Sequence, residues 1–564
     1  VRDWLGQRLP AYMVPALCVT VDQLPRTVGG KVDRGRLPDP DQHRPALSES
    51  YEAPRTPAEQ AVAEVWQEVL QLDRIGVHDN FFDLGGHSLL VTLAVARLVK
   101  ALGRPVDVRD FFAHPTVAEL AAALPAAPAE PEPGIGRMAR SGDFPLSYAQ
   151  EGLWFLHQLD PEAPDYMAAL AWRVEGELDR TRLDQALRRL VHRQESLRTT
   201  FPLVGAHPVQ RVAARTDVTS VWRDLRDLPD ALDEAVRQAG EELRKPFDLE
   251  EGPLFRTLVW QLDATEHLLV LAMHHIVTDG WSMSVLVREL GALYAGENLP
   301  ELPVQYADYT DWQRNERGDR ALTDDLAFWR ERLGGLPVLE LPVDRARPVR
   351  PSWVGATYAF DLEPELVAGL ERLGREQGAT LYMTLLAAFE VLIGGWSGQC
   401  DFGVGTPVAG RGRPEVENLV GLFVNTLVVR ADLSGDPTFT ELLARVRDHT
   451  VEGLGHQNAP FDRVVEALSP DRDLSHSPLF QVMFDLEARS IAAPRLGSAR
   501  LRPVDVPFDV TKYDLMFTFT TDPGSAGGFV QYRTDVFDEV SVGRLVGRCR
   551  ALLAAVVASP GVRV

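Results

Sequence analysis

The sequence predicts a multidomain protein in which a small helical bundle precedes a larger α/β region. The chain has 564 residues, more than one compact unit usually holds, so several domains are expected. Two proline-rich segments, about residues 38–57 and 124–142, indicate linkers. Between them apolar residues recur at helical spacing, and beyond residue 143 strand and helix signals alternate. The fold class rests on these three observations.

Periodicity assigns the main elements in chain order. Apolar residues repeat at helical spacing across 59–70 and across 89–102, which predicts two helices of the bundle. Residues 267–273 (HLLVLAM) predict a buried strand, and apolar residues between 285 and 294 predict an amphipathic helix after it. Pro364 is a good first-turn residue for a helix ending near Glu376, and residues 515–519 (LMFTF) predict a strand.

Composition excludes several classes of function. The formal net charge of -23 disfavours nucleic-acid binding, which needs a cationic surface. No apolar run reaches the roughly 18 residues of a membrane span, and no signal peptide opens the chain, so no membrane association and a cytoplasmic location are expected. The chain begins at Val1 in mid-pattern, which suggests a piece of a longer polypeptide. Two residue types are sparse: three cysteines without metal-ligand or disulfide spacing, and four lysines that are candidates for function, at positions 31, 100, 245 and 512.

The helical bundle contains a serine-bearing motif. Residues 79–89 read DNFFDLGGHSL, so two glycines precede Ser88 at the start of a predicted helix. Read alone, Ser88 is a helix N-cap. The complete string resembles the attachment motif of peptidyl carrier domains of nonribosomal peptide synthetases, over residues 53–123. That resemblance implies that Ser88 bears phosphopantetheine, added by a separate phosphopantetheinyl transferase, and that an acyl or peptidyl thioester is carried on it.

The first 40 residues carry a second resemblance. Residues 9–15 (LPAYMVP) and 24–34 (LPRTVGGKVDR) are similar to the closing piece of an adenylation domain. The resemblance implies that Lys31 contacts the acid and the adenylate, although a charge beside a Gly-Gly turn is the plainer interpretation. Because residues 1–40 are too few to form a nucleotide pocket, we expect no adenylation by this chain. The core of the adenylation domain is expected elsewhere in the same synthetase.

A polar string interrupts the apolar segment at residues 274–280 (HHIVTDG), where the predicted strand ends. Strand-to-helix loops often hold catalytic groups. A satisfied core histidine at His274 and a helix N-cap at Asp279 are the structural alternatives. Adjacent histidines on a strand point in different directions and no third ligand lies near in sequence, so no metal is expected.

Residues 143–564 resemble a condensation domain of the same synthetases. Matching strings occur in family order: 147–156 (SYAQEGLWFL), 193–201 (RQESLRTTF), 274–280, 306–312 (YADYTDW), 421–426 (GLFVNT), 456–461 (HQNAPF) and 472–475 (RDLS). Gly152, Gln194, Asp462 and Ser477 depart from the usual residues. The resemblance implies an α/β fold like chloramphenicol acetyltransferase, with an N-lobe at about 143–318 and a C-lobe at about 319–564.

The resemblance also implies a chemistry for this region. Donor and acceptor arms are expected to meet at His275, where the amine of an aminoacyl group on a downstream carrier attacks the donor thioester and forms an amide. His275 is expected to accept the amine proton or to position the amine. Backbone amides near Gly280 are candidate oxyanion donors, while His274 and Asp279 are expected to hold the loop. The candidate partners of Asp279 are Arg193, Arg198 and Arg430.

Two alternatives remain at this stage. An epimerisation domain keeps the paired histidines, although its other characteristic strings are not seen. A noncatalytic platform of condensation fold that recruits tailoring enzymes is the other alternative, and the intact His275 argues against it. By resemblance, His87 before Ser88 suggests a donor that is L-configured or ends in glycine.

Overall fold

A computed structural model describes residues 51–564, except 87, 105, 125–133, 141, 162–165, 217, 317–318, 349–351, 353, 469–476, 489–494, 508–509 and 523–524. The predicted adenylation remnant at 1–40, with Lys31, lies outside the described residues. So do His87, most of the predicted linker at 124–142 and the string at 472–475.

The predicted helical bundle consists of α1 (Pro57–Leu70), α2 (Ser88–Leu102), α3 (Val108–Ala113) and α4 (Val117–Ala123). A capping box starts α1: Thr56 Oγ1 accepts from the N–H of Glu59 at 3.1 Å, and the Glu59 carboxylate accepts from the N–H of Thr56 at 3.2 Å. The rings of Trp66, Phe81 and Phe111 meet in the bundle centre, with centroids 4.9 Å apart for the first two and 4.8 Å for the last two. The two helices predicted from periodicity are confirmed.

The larger region contains eleven helices and sixteen strands among its described residues. The first group is α5 (Tyr148–Leu159), β1 (Met167–Glu175), α6 (Arg180–Arg193), β2 (Thr199–Thr200), β3 (Leu203–Val204), β4 (His207–Pro208), β5 (Arg211–Val212), β6 (Val221–Asp224), α7 (Ala231–Leu243), β7 (Phe255–Gln261), β8 (Glu266–His274), α8 (Gly280–Ala295) and α9 (Tyr306–Asp311). The second group is α10 (Asp319–Leu333), β9 (Gly355–Leu362), α11 (Pro364–Glu376), α12 (Leu381–Ser397), β10 (Asp401–Val408), β11 (Asn425–Asp432), α13 (Phe439–Gly455), α14 (Phe461–Leu468), β12 (Val482–Ala488), β13 (Arg495–Leu496), β14 (Ala499–Pro503), β15 (Leu515–Asp522), β16 (Ser525–Arg533) and α15 (Glu539–Ala558).

Two six-stranded sheets organise these elements into two lobes. The first sheet has the order β13-β14-β1-β8-β7-β6 and the second β11-β10-β12-β15-β16-β9. Strands β13 and β14 belong by chain order to the second lobe but extend the first sheet, where Trp172 of β1 pairs with Pro503 of β14. The predicted lobe boundary at about residue 318 divides the chain in sequence order. The first sheet, however, includes β13 and β14 from the chain after that boundary.

Strand β8 is buried on both faces. Leu269, Leu271 and Met273 lie in the apolar cluster that also contains core residues of α6 and α8. The alternate residues, at positions 268, 270 and 272, lie in a second cluster with residues of α7. Burial on both sides explains why the predicted strand is apolar without alternation. The strand and the helix predicted around residues 274–280, the helix Pro364–Glu376 and the strand beginning at Leu515 are confirmed.

The helical bundle rests against the larger region. Val108 and Phe112 of α3 pack on a cluster that includes Trp329 and Leu454. Trp329 is buried and its Nε1–H donates to the carbonyl of His456 at 3.1 Å, so it packs within this cluster. Where the linker is described again, Ile135 is buried in a cluster with Leu302 and Val304 of the first lobe and Val416 and Leu419 of the second.

No single helix within the described ranges has the length and apolar composition needed to cross a membrane. Helices α11 and α12 together meet that test by length and composition, with a bend of 102° between them.

Candidate active site

The HHIVTDG string forms the junction between β8 and α8. His274 is the last residue of β8, residues 275–277 make one turn of 3₁₀ helix, and Asp279 caps α8 by accepting from the N–H of Ser282 at 2.7 Å. The backbone N–H of His275 donates to the carbonyl of Tyr166 at 2.7 Å. The loop is therefore held at both ends.

His274 is buried and contacts residues of the loop and of α5. Its Nδ1 accepts from the N–H of Ile276 at 3.1 Å, and its ring meets the edge of His157 with centroids 5.8 Å apart. Burial, and then the charges of His157, His275 and Lys512, lower the pKa of His274 well below the usual range. A neutral imidazole in this position stabilises the turn and exchanges no protons near neutral pH.

His275 is half-buried, and its Nδ1 is shielded from solvent. That nitrogen has no hydrogen-bond partner in the part of the chain that the structure describes. Removal from water and the positive charge of Lys512 lower the pKa of His275 to about 4, against the opposing charge of Asp279. The imidazole is therefore neutral at pH 7 and able to accept a hydrogen bond.

Gly280 opens space directly beyond this loop. The residue is exposed, and a Cβ built on it would meet no atom within 4 Å. By contrast, a Cβ on Gly421 would lie 2.1 Å from the ring of Tyr306, so that glycine is required for packing. The start of α8 at Gly280 thus faces open space.

Asp279 is paired with Arg411, a residue that the sequence patterns did not single out. Arg411 lies in the segment between β10 and β11, residues 409–424, termed here the crossover loop. Its Nη2 donates to Asp279 Oδ1 at 3.1 Å and to Ser282 Oγ at 2.8 Å. Asp279 Oδ2 also accepts from the N–H of Phe423 at 2.9 Å. Both charged side chains are 2% exposed, so the pair is a buried connection between α8 and the crossover loop.

The three arginines expected to pair with Asp279 have other partners, which corrects that expectation. Arg193 bonds Glu289 at 2.9 Å, Arg198 contacts Glu195 at 3.3 Å, and Arg430 bonds Asp401 at 2.7 Å. Asp279 faces the crossover loop, whose fold brings a residue 132 positions later into contact. The available signal was the string GRGR at residues 410–413, which precedes the string GLFVNT at 421–426 in the same loop.

Lys512 is a second residue whose place the sequence did not reveal. It precedes β15 in the second lobe, and its Nζ lies 4.6 Å from the ring centroid of Tyr166 in the first. Its charge acts on both histidines of the loop. The scarcity of lysine was the only sequence signal for it.

Two departures from the family pattern face each other. A Cβ on Gly152 of α5 would lie 2.5 Å from Oδ2 of Asp462 on α14. Gln194, a third departure, is buried: its Nε2–H donates to Glu289 at 2.9 Å, and its Oε1 accepts from the N–H of Val420 at 3.0 Å. These differences from the family pattern lie in local contacts outside residues 274–280.

Ser88 is the first residue of α2, which follows a tight turn. Gly85 has a φ of +97°, a conformation that favours glycine. A Cβ on Gly86 would lie 2.2 Å from the Phe81 ring, so the second glycine is needed where the chain passes the bundle core. The turn and the helix N-terminus suit a phosphodiester at this end of α2.

Comparison with known proteins identifies the family. A sequence model described as "Condensation domain" matches residues 140–564, and one described as "Phosphopantetheine attachment site" matches residues 60–124. The chain belongs to the condensation-domain family. It is a carrier and condensation fragment of a nonribosomal peptide synthetase, and its carrier domain bears a covalently attached phosphopantetheine.

Similar proteins agree with that family. One of the linear gramicidin synthase proteins of Brevibacillus parabrevis is 43% identical over 99% of this chain, which spans 7% of that relative. The X-domain from teicoplanin biosynthesis has a TM-score of 0.71 at 29% identity, over 76% of this chain and 98% of that one. It has also been solved in complex with OxyB. The condensation domain of Monacolin K polyketide synthase MokA has a TM-score of 0.67 at 25% identity, over 75% and 99%. These neighbours confirm the predicted fold class.

In the described part of the chain, no group of three or more His, Cys, Asp or Glu side chains is placed to hold a metal ion.

Proposed function

We propose that this fragment forms an amide bond between a donor acyl or peptidyl group carried at Ser88 and the amine of an aminoacyl thioester on a downstream carrier domain. Condensation domains of nonribosomal peptide synthetases are acyltransferases that form peptide bonds. The observation that carries the proposal is the half-buried His275, whose imidazole is neutral at pH 7 and which lies in the loop leading to Gly280, where the backbone faces open space.

His275 orients the attacking amine. The reaction forms a bond from the acceptor nitrogen to the donor carbonyl carbon and breaks the carbon–sulfur bond, so the nitrogen must lose a proton. An imidazole with a pKa of about 4 is a weak base at neutral pH, but it accepts a hydrogen bond from the amine. The proton then leaves with the sulfur as a thiol. Because the amine is already nucleophilic and the thioester already activated, positioning contributes most.

The first turn of α8 stabilises the charge that develops on the carbonyl oxygen. The amides of Gly280 and Trp281 are the donors that we assign, because the first amides of a helix lack partners within it. A helix N-terminus also favours negative charge. His274 and Asp279 hold the loop in place and do not touch the reacting atoms.

Ser88 is the residue that we propose for attachment. The phosphopantetheine thiol carries the acyl group as a thioester. A separate phosphopantetheinyl transferase adds the group, and the adenylation domain core of the same synthetase supplies the acyl group. Two contacts support the donor role: Thr92 of α2 lies 4.0 Å from where a Cβ on Gly412 would be, and Arg97 of α2 pairs with Glu417, both in the crossover loop.

The domain boundaries and the donor configuration predicted from the sequence are part of the proposal. We assign residues 53–123 to the carrier domain and 143–564 to the condensation domain, with an adenylation remnant before them. From the His87-Ser88 string we propose a donor that is L-configured or ends in glycine.

The experiment loads the chain through Ser88 and identifies the product by mass. After treatment with a broad phosphopantetheinyl transferase, candidate donors are attached and aminoacyl carrier domains are added as acceptors. We expect one added phosphopantetheine, absent in Ser88→Ala, and a peptide on the acceptor carrier for at least one pairing. Absence of amide from every pairing would contradict the proposal.

A noncatalytic platform is the second candidate. The likeness to the X-domain, which has been solved in complex with OxyB, is the observation that favours it. The open space at Gly280 and the neutral His275 favour catalysis instead. Capture of an OxyB-like tailoring enzyme by the purified chain, together with no amide in the loading experiment, would support the platform.

A further inference from the structure

The carrier domain contacts the crossover loop through a charged pair, Arg97 and Glu417. Nε and Nη2 of Arg97, on α2, donate to the two carboxylate oxygens of Glu417, the first at 3.0 Å. Arg97 also bonds Glu68 on α1 at 3.3 Å, which holds its guanidinium toward the loop. The Glu417 side chain is only 10% exposed. A paired arrangement of this kind fixes direction as well as distance.

Trp281, the residue that follows Gly280, also lies in the contact between the carrier domain and the crossover loop. The indole Nε1–H of Trp281 donates to the backbone carbonyl of Glu417 at 2.9 Å. The Trp281 ring also packs against the apolar core of the carrier domain. Because Trp281 is in the first turn of α8, the carrier domain contacts the helix start that faces the reacting groups.

The crossover loop completes a path to Asp279. Nη1 of Arg411 donates to the carbonyls of Val416 at 2.7 Å and Leu419 at 2.8 Å, which flank Glu417 on either side. Nη2 of the same guanidinium bonds Asp279. Contacts therefore lead from Arg97 to the Glu417 side chain, along the backbone of residues 416–419, and through Arg411 to Asp279 of the histidine loop.

We propose that docking of the carrier domain on the crossover loop positions the active-site loop, in addition to delivering the donor. This inference rests on the proposed condensation activity. With the carrier domain docked, the Glu417 carboxylate is paired with Arg97 and Trp281 is covered, so the segment that holds Arg411 is fixed. When the carrier domain leaves, both groups meet water and the restraint on Arg411 and Asp279 weakens. A bound domain shifts such an equilibrium through the contacts that only one state makes.

The test separates positioning from delivery. The full chain is prepared without phosphopantetheine, so that its carrier domain delivers nothing, and is given a soluble donor thioester and a soluble aminoacyl thioester. Turnover is compared for wild type, Arg97→Glu, Glu417→Arg and the double charge swap. Lys100→Glu, the same charge change at an exposed position of α2, is the matched control.

We expect turnover to fall about fivefold in each single variant and to return to within about twofold of wild type in the swap. Lys100→Glu should match wild type. Equal turnover of Arg97→Glu and wild type would show that docking only delivers the donor, and would overturn the inference.

Hydrogen exchange gives a reading that does not depend on catalysis. Without substrate, amides of residues 275–283 and 411–424 should exchange faster in Arg97→Glu, and at the wild-type rate in the swap and in Lys100→Glu. Unchanged exchange in those segments overturns the inference whatever the turnover. Failure of the proposed condensation activity gives a different result. In that case wild type forms no amide even with loaded carriers, while hydrogen exchange still becomes faster in Arg97→Glu.

Discussion

At the scale of single residues, the neutrality of His275 has two causes that act together. Removal from water disfavours the imidazolium, and Lys512, which the second lobe supplies, adds a positive charge near the ring. Other titratable groups nearby are His274, whose pKa His275 and Lys512 lower, Tyr166 against Lys512, and Asp279, whose charge favours protonation of His275. Since its pKa is about 4, His275 becomes charged only in acid.

Replacing Lys512 with Met should make activity more sensitive to acid. Without that charge the pKa of His275 rises toward its usual value, so protonation begins at a higher pH and removes the hydrogen-bond acceptor. The measurement is kcat/KM of Lys512→Met divided by kcat/KM of wild type at each pH. Ionisation of the acceptor amine affects both proteins equally and cancels in this ratio. We expect the ratio to fall about two- to fourfold from pH 8 to pH 5.5.

Two variants serve as controls for that profile. Lys512→Arg keeps the charge and should hold the ratio constant. Lys245→Met removes an exposed lysine that pairs with Glu242 and should also leave the ratio flat. A flat ratio in Lys512→Met would show that Lys512 does not control the protonation of His275.

At the scale of elements, Asp279 joins the N-terminus of α8 to the crossover loop. One carboxylate oxygen caps the helix and pairs with Arg411, and the other accepts from the amides of Phe423 and Val424. Loss of this carboxylate leaves a guanidinium buried without its charge partner.

Asp279→Ala should therefore lower stability as well as activity. We expect a loss of about 3–5 kcal/mol, measured as a fall of several degrees in the Tm of the condensation domain. The exposed pair of Asp143 and Arg211 supplies the comparison, and Asp143→Ala should leave the Tm unchanged. An unaltered melt in Asp279→Ala would contradict a structural role for that residue.

Sequence patterns predicted the elements around the site because their causes are local. The run before His274 is apolar because β8 is buried on both faces, and the helix after it follows from spacing alone. The partner of Asp279 was not predictable in this way, since the contact to Arg411 spans 132 residues and depends on how the crossover loop folds. Lys512 reaches the histidines only because its segment returns between the lobes.

At the scale of the whole molecule, the two lobes are connected by more than chain order. Strands β13 and β14 leave the second lobe to extend the first sheet, and the crossover loop reaches α8 from the second sheet. Family resemblance implied two lobes, but register and strand exchange are long-range features that a single sequence does not encode in any local pattern. The site is consequently built from both lobes, with the carrier domain against its edge.

The proposed role of His275 in amide formation depends on this arrangement and can be tested directly. With Ser88 loaded and an aminoacyl carrier domain as acceptor, His275→Ala should form no detectable peptide in a single-turnover experiment read by mass, while its Tm stays at the wild-type value. Peptide formation at the wild-type rate by the folded His275→Ala protein would contradict the account.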